Sequence, residues 1–254
     1  LLPNSWYSFT IKIEDLFEGV SMIKEELIAR SPVRILEKGI AGGLKAGNIG
    51  IIASKKGIGK TSVLVQIALD KLMKNEKIIH VSFTTHTSYV HAWYDNIFTE
   101  VAKRKNLDHY KDVHDEAIRN RVILNLNQTS LKVEQIISSL EGLLNADIKA
   151  SAVIIDGYDF ARANPSDLKR MADFAKKHAL EIWYSCTLEG EEPLYDKNNF
   201  PIMLRDFIDD IAVLIVLEPK PDHIHFVVVK DHERLNPTDL QIRLDVRTLL
   251  IADE

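Results

Sequence analysis

The segment Ser54-Lys55-Lys56-Gly57-Ile58-Gly59-Lys60-Thr61 places two glycines, a lysine and a hydroxyl in an order suited to holding a polyanion. Glycines let the backbone turn so that successive N–H groups converge on anionic oxygens. Lys60 adds a flexible point charge, and the Thr61 hydroxyl can ligate Mg²⁺. The order matches the phosphate-loop pattern G-x-x-x-x-G-K-[ST] except at its first position, where Ser54 stands for glycine. Residues 54–61, with Ser62 after them, are therefore the expected contacts for the phosphates of ATP, with Thr61 also on Mg²⁺ and Lys60 acting on the reacting phosphate. Asp156 closes the apolar run Ala152-Val153-Ile154-Ile155, where a strand-tip carboxylate beside such a loop can hold Mg²⁺ directly or through water. Asp159, three residues on, is a weaker candidate for the same ion.

Elsewhere the chemistry is thin. His80 alternates into a strand and reads as packed or partnered. Asp108, His109, Asp112, His114 and Asp115 form a polar cluster with no matching second ligand set, so a solvated segment is expected there. Lys103, Arg104, Lys105 and Lys111 read as a solvated basic face. Between 189 and 210 only Tyr195, Phe200 and Phe207 are aromatic, which is little for a single-strand stacking groove.

The elements that must position these residues alternate. Strands are expected at Asn48–Ala53, Lys77–Phe83, Val122–Leu126, Ala152–Ile155, Glu181–Leu188, Ala212–Leu217, His223–Lys230 and Leu240–Leu244. Helices are expected at Lys60–Lys74, Tyr89–Lys105, Leu131–Leu144 and Ser166–His178. This alternation implies an α/β fold with a mainly parallel sheet flanked by helices, and the short turns between the last three strands imply an antiparallel C-terminal extension. Ahead of it, Ile13, Leu16, Phe17, Val20, Ile23 and Leu27 recur at helical spacing, and Pro32 ends that helix. The chain thus divides into a helical extension, residues 1–34, and a nucleotide-binding domain, residues 35–254.

Composition narrows the classes. The 254 residues carry a net charge of −5, which argues against a surface dominated by nucleic-acid contacts. A single cysteine, Cys186, excludes an internal disulfide and fits a reducing, cytoplasmic setting. No apolar run is long enough to span a bilayer.

Several motifs in order resemble a known family. Gly42-Gly43-Leu44-Lys45-Ala46-Gly47 followed by a strand, the phosphate loop and its helix looks like the opening of the RecA-like P-loop ATPase core, closest to DnaB-type replicative helicase motors and their KaiC-like relatives. Asn127-Gln128-Thr129-Ser130-Leu131 ahead of Asp156, Ser185-Cys186-Thr187-Leu188, Leu204-Arg205-Asp206 with Asp210-Ile211-Ala212-Val213, and Val229-Lys230 with Asn236-Pro237-Thr238 extend the likeness over roughly residues 31–254. The resemblance implies a homo-oligomer, usually a hexameric ring, with ATP between subunits. Lys230, and either His232 or Arg234, would then reach a neighbour's γ-phosphate, although extra residues in this turn leave the second position open.

Two departures from that family bear on activity. Its general-base glutamate follows the second strand, where Val81-Ser82-Phe83-Thr84-Thr85-His86 puts Thr84, and a hydroxyl cannot deprotonate water near pH 7. His86 is the nearest substitute. Thr187 replaces the family's sensor glutamine. The expectation is ATP binding with weak or absent hydrolysis. A KaiC-like regulatory or scaffold role and an active motor on single-stranded DNA are the alternatives.

Overall fold

The computed structural model describes residues 24–25, 27–29, 31, 33–83, 86–104, 110–126, 132–190, 192–235 and 238–253. Nine strands form one sheet: β1 (Ile49–Ser54), β2 (Lys77–Ser82), β3 (Arg121–Asn125), β4 (Ala150–Asp156), β5 (Glu181–Thr187), β6 (Val213–Pro219), β7 (His223–Asp231), β8 (Thr238–Asp245) and β9 (Ile251–Asp253). Their spatial order is β3-β2-β4-β5-β1-β6-β7-β8-β9. The first six run parallel, and β7, β8 and β9 are added antiparallel. The expected α/β fold, with its mainly parallel sheet and antiparallel end, is what forms.

The connections explain the order. Helix α1 (Val33–Gly39) precedes β1, and α2 (Lys60–Met73) links β1 to β2. Helices α3 (Thr87–Arg104) and α4 (Tyr110–Ile118) lead to β3. All four contribute buried residues to one apolar core, on one face of the sheet. Helix α5 (Val133–Asn145), α6 (Pro165–His178) and a 3-10 helix (Ile202–Asp210) line the other face. Right-handed crossovers on one face carry the chain outward from β1 to β3, and on the other face carry it back to β6. Where β1 lies beside β5, and where β2 lies beside β4 and β3, neighbouring strands send their connections to opposite faces. Crevices at the carboxyl ends of such strands are where open α/β sheets place ligands.

Buried parallel strands read as apolar runs because both faces are covered, and every residue of β1 is buried. Gly50 in that run has a packing cause. Trp183 of β5 lies in register beside it, and a β-carbon at Gly50 would fall 2.5 Å from the indole.

Four elements differ from expectation. Helix α4 occupies part of the polar cluster, because Val113 and Ala117 one turn apart bury against α2 and α3 while Asp112 and Asp115 face outward. Asp108 and His109 lie outside the described residues, as does Lys105. The 3-10 helix forms where a loop is expected, anchored by buried Leu204 and Phe207. Strand β9 is three residues long, too short for a periodicity to register. Finally, the division at residue 34 falls inside α1, and the neighbouring residues pack on this domain. Arg34 pairs with Asp70 of α2, Lys24 pairs with Glu116 at 2.7 Å, and Leu27 joins the core. The rest of the N-terminal stripe, Ile13 to Ile23, lies outside the described residues, as do Pro32 and the Asn127–Leu131 segment. No described helix is long and apolar enough to cross a membrane.

Candidate functional site

The expected loop sits between the end of β1 and the start of α2. Two of its residues need the left-handed region: Gly57, at φ 81°, and Gly59, at φ 112°, which is the N-cap of α2. Ser54 is absent from the positive-φ residues and closes β1 as ordinary strand, so no glycine is required there. Its hydroxyl donates to the Lys55 carbonyl at 3.0 Å and provides an acceptor 3.3 Å from Lys60 Nζ. The departure from the motif is thus accommodated.

Lys60 lies back inside the loop. Its Nζ donates to the Ser54 carbonyl at 3.1 Å and to the Lys55 carbonyl at 3.0 Å, and the residue is only 8% exposed. Burial pushes its pKa down, opposed by the Cys186 thiol beside it and by the charges of Asp156 and Glu189. A desolvated ammonium held by neutral acceptors is a strong attractor for an incoming anion. Helix α2 adds the partial positive charge of its N-terminus, with no acidic side chain in its first turn to offset it. Thr61 Oγ1 donates to Asp156 Oδ2 at 2.9 Å, joining the loop to the tip of β4, and Asp156 is 9% exposed. Residues 95 positions apart meet here because β4 and β1 both end on this side of the sheet, one strand apart.

The other loop residues divide by exposure. Lys55 pairs with Glu192 at 2.9 Å on the surface, Lys56 is exposed, and Ile58 packs on the core. The Ser62 hydroxyl is taken by the Leu249 carbonyl at 2.5 Å, leaving its amide to the first helical turn. Gln66 extends that clamp, donating to Leu249 O at 3.0 Å and accepting from Ile251 N at 2.8 Å. Leu244 lies where a β-carbon on Gly59 would fall, at 2.5 Å. The antiparallel C-terminal hairpin therefore braces this loop, and Ser62 and Gln66, one turn apart among the few buried polar residues of the helix, were the available sign of it.

Lys230 and Arg234 are not brought to this loop. Lys230 pairs in register with Leu214 near the start of β6, at the opposite end of the sheet, and its half-buried amine donates to the Ile208 carbonyl at 2.5 Å. Arg234 is exposed on the following turn. Thr187 ends β5 in register with Ser54, so this residue lies at the loop. Ser82 ends β2 in register with Asp156, but Thr84 lies outside the described residues. His86 is exposed, with Tyr89 stacked near it. Phe200 and Phe207 are buried, which removes two of the three aromatics of the 189–210 segment from any stacking surface.

No family model matches this chain, and a comparison with curated proteins returns no match either. The chemistry of the site rests on its own residues.

Behind Asp156 is a buried polar pair that sequence reading left undefined. His80 Nδ1 meets Tyr94 Oη at 3.0 Å, and the His80 residue is 1% exposed. Burial, with Arg121 adding to it and Asp156 opposing, pushes the imidazole pKa down to about 4. An unfolded histidine titrates near 6.5, so as pH falls the unfolded chain takes up this proton first and the fold loses stability between about pH 6.5 and 4. The loss is expected to be on the order of 3 kcal/mol. Urea unfolding of the native chain and of His80→Gln at pH 7 and pH 4.5 checks this. The native chain should lose more stability on acidification, and equal losses in both would remove His80 from the account.

Proposed function

We propose that this chain is a RecA-like P-loop protein that binds Mg²⁺-ATP and hydrolyses it slowly or not at all. The observation that carries the reading is the convergence at the carboxyl end of β1: a buried Lys60 folded into a two-glycine turn at a helix N-terminus, with Thr61 Oγ1 2.9 Å from Asp156. Backbone amides and Lys60 would hold the β and γ phosphates. Thr61 and Asp156 offer hard oxygen donors of the kind Mg²⁺ takes, since that ion is usually bound by one or two protein groups plus phosphate and water. Among the described residues no cluster of three or more His, Cys, Asp or Glu could hold a metal, and a phosphate-shared Mg²⁺ does not need one. When bound, the ion would supply charge neutralisation for the phosphates held by these residues.

The resemblance to DnaB-type and KaiC-like proteins motivates an oligomeric form of this reading. Lys230 and Arg234 stand at the end of the sheet away from their own loop, so they could meet a triphosphate only in another copy. Lys230 would have to release the Ile208 carbonyl to do so.

Asp156→Asn tests the metal arrangement. In the native chain, replacing Mg²⁺ with EDTA should weaken ATP binding by about 5- to 150-fold, the usual range for coupling between two ligands. In the variant that ratio should fall toward one. An unchanged Mg²⁺ dependence in Asp156→Asn would remove Asp156 from the metal site.

A further inference from the structure

A cleft of about 650 Å³ opens well away from the phosphate loop, between the start of α3, the end of α4 and the edge strand β3. Its wall carries His91, Arg119 and Arg121, with Ile118 and Ile123 as an apolar surface. Arg121 is unusual in its surroundings. Its guanidinium carbon lies 4.2 Å from the centroid of the Tyr94 ring, and Nη2 donates to His91 Nδ1 at 2.9 Å. Its Nε and Nη1 are shielded from solvent and have no hydrogen-bond partner among the described residues, nor does any described carboxylate pair with it. Burial pushes its pKa down.

The charge of Asp95 acts on Arg121 without a hydrogen bond to it, so the desolvation of the half-buried guanidinium is only partly offset, and an added anion would offset more. The side chain is also fixed in place, stacked on a fully buried tyrosine whose hydroxyl is itself engaged by His80. Because His91 Nδ1 accepts from Arg121, its neutral ring carries the proton on Nε2 and so presents a donor. Asp115, the one carboxylate on the wall, is 3.2 Å from His114 Nδ1. Two arginines against that one carboxylate leave the described wall a net positive charge, which favours an anion.

We propose that this cleft is a second ligand site, taking a small organic phosphate whose oxygens meet Arg121, Arg119 and His91 and whose apolar body rests on Ile118 and Ile123. Nothing in this assignment depends on the phosphate loop. Phenyl phosphate is a suitable probe, read by calorimetric titration on the native chain and on Lys60→Ala, Arg121→Gln and Arg119→Gln. Binding should be saturable and equal in the native chain and Lys60→Ala, at least about tenfold weaker in Arg121→Gln, and weaker by a smaller factor in Arg119→Gln. Benzoate, with one charge and the same ring, should bind more weakly than phenyl phosphate. Loss of binding in Lys60→Ala with retention in both arginine variants would assign the phosphate to the loop and overturn the proposal, as would the absence of saturable binding. Benzoate binding as tightly would overturn the phosphate assignment. Should Arg121→Gln fail to fold, the exposed Arg119→Gln decides the same question.

Discussion

Lys60→Ala is expected to weaken ATP binding by about 10- to 150-fold, the loss of one charge-assisted contact worth roughly 1.5–3 kcal/mol. The same substitution should leave the unliganded protein no less stable than the native chain, to within about 1 kcal/mol. Lys60 Nζ is buried against two carbonyls and a hydroxyl, with no carboxylate at ion-pair distance among the described residues, so in the free protein its desolvation is opposed only by the more distant charges of Asp156 and Glu189. Its removal relieves that cost while taking away the ligand's principal cation. Calorimetry for affinity and urea unfolding for stability separate the two effects. A variant that binds ATP like the native chain would remove Lys60 from the site. A variant that is merely unfolded would show that the lysine serves the fold.

Hydrolysis should be slow, by the largest factor expected anywhere in this protein. In the proposed reading, positioning and charge stabilisation would come from the loop, the helix N-terminus and Asp156. Strand β2 delivers Ser82 beside Asp156, yet the residues after it, Phe83-Thr84-Thr85, carry no carboxylate to accept a proton from water. General-base catalysis contributes about 10²–10⁴-fold, so a turnover number of about 10 s⁻¹ for an ordinary enzyme falls to roughly 10⁻¹–10⁻³ s⁻¹. Thr84→Glu should raise the rate, by less than the full factor because Thr187 leaves the sensor position at the end of β5 without its amide. A native rate of about 1 s⁻¹ or more that disappears in Lys60→Ala would identify another base, with exposed His86 the first to replace.

Much of this was legible because its causes are local. The loop was readable from glycines that the backbone needs at positive φ, at residues 57 and 59, and the strands from runs buried on both faces. Asp156 could be placed at a strand tip from the polarity change after Ile155. That its carboxylate accepts from Thr61 depends on β5 alone separating β4 from β1, and strand order is a property of the whole sheet. Gly50 reads as a gap in an apolar run until Trp183 is seen lying across it. The bracing of α2 by Leu249 and Ile251 joins residues more than 180 positions apart, with no periodic signal between them. Nothing local to Arg121 in the sequence shows that Tyr94 lies beneath it.

Titration of the native chain with ATP in the presence of Mg²⁺, followed calorimetrically, addresses the central claim most directly. Saturable binding of one ATP per chain is expected, with a dissociation constant in the range of about 1 μM to 1 mM over which enzymes hold their substrates. The folded protein failing to bind ATP at millimolar concentration, with Mg²⁺ present, would contradict the assignment of residues 54–61 as a phosphate loop.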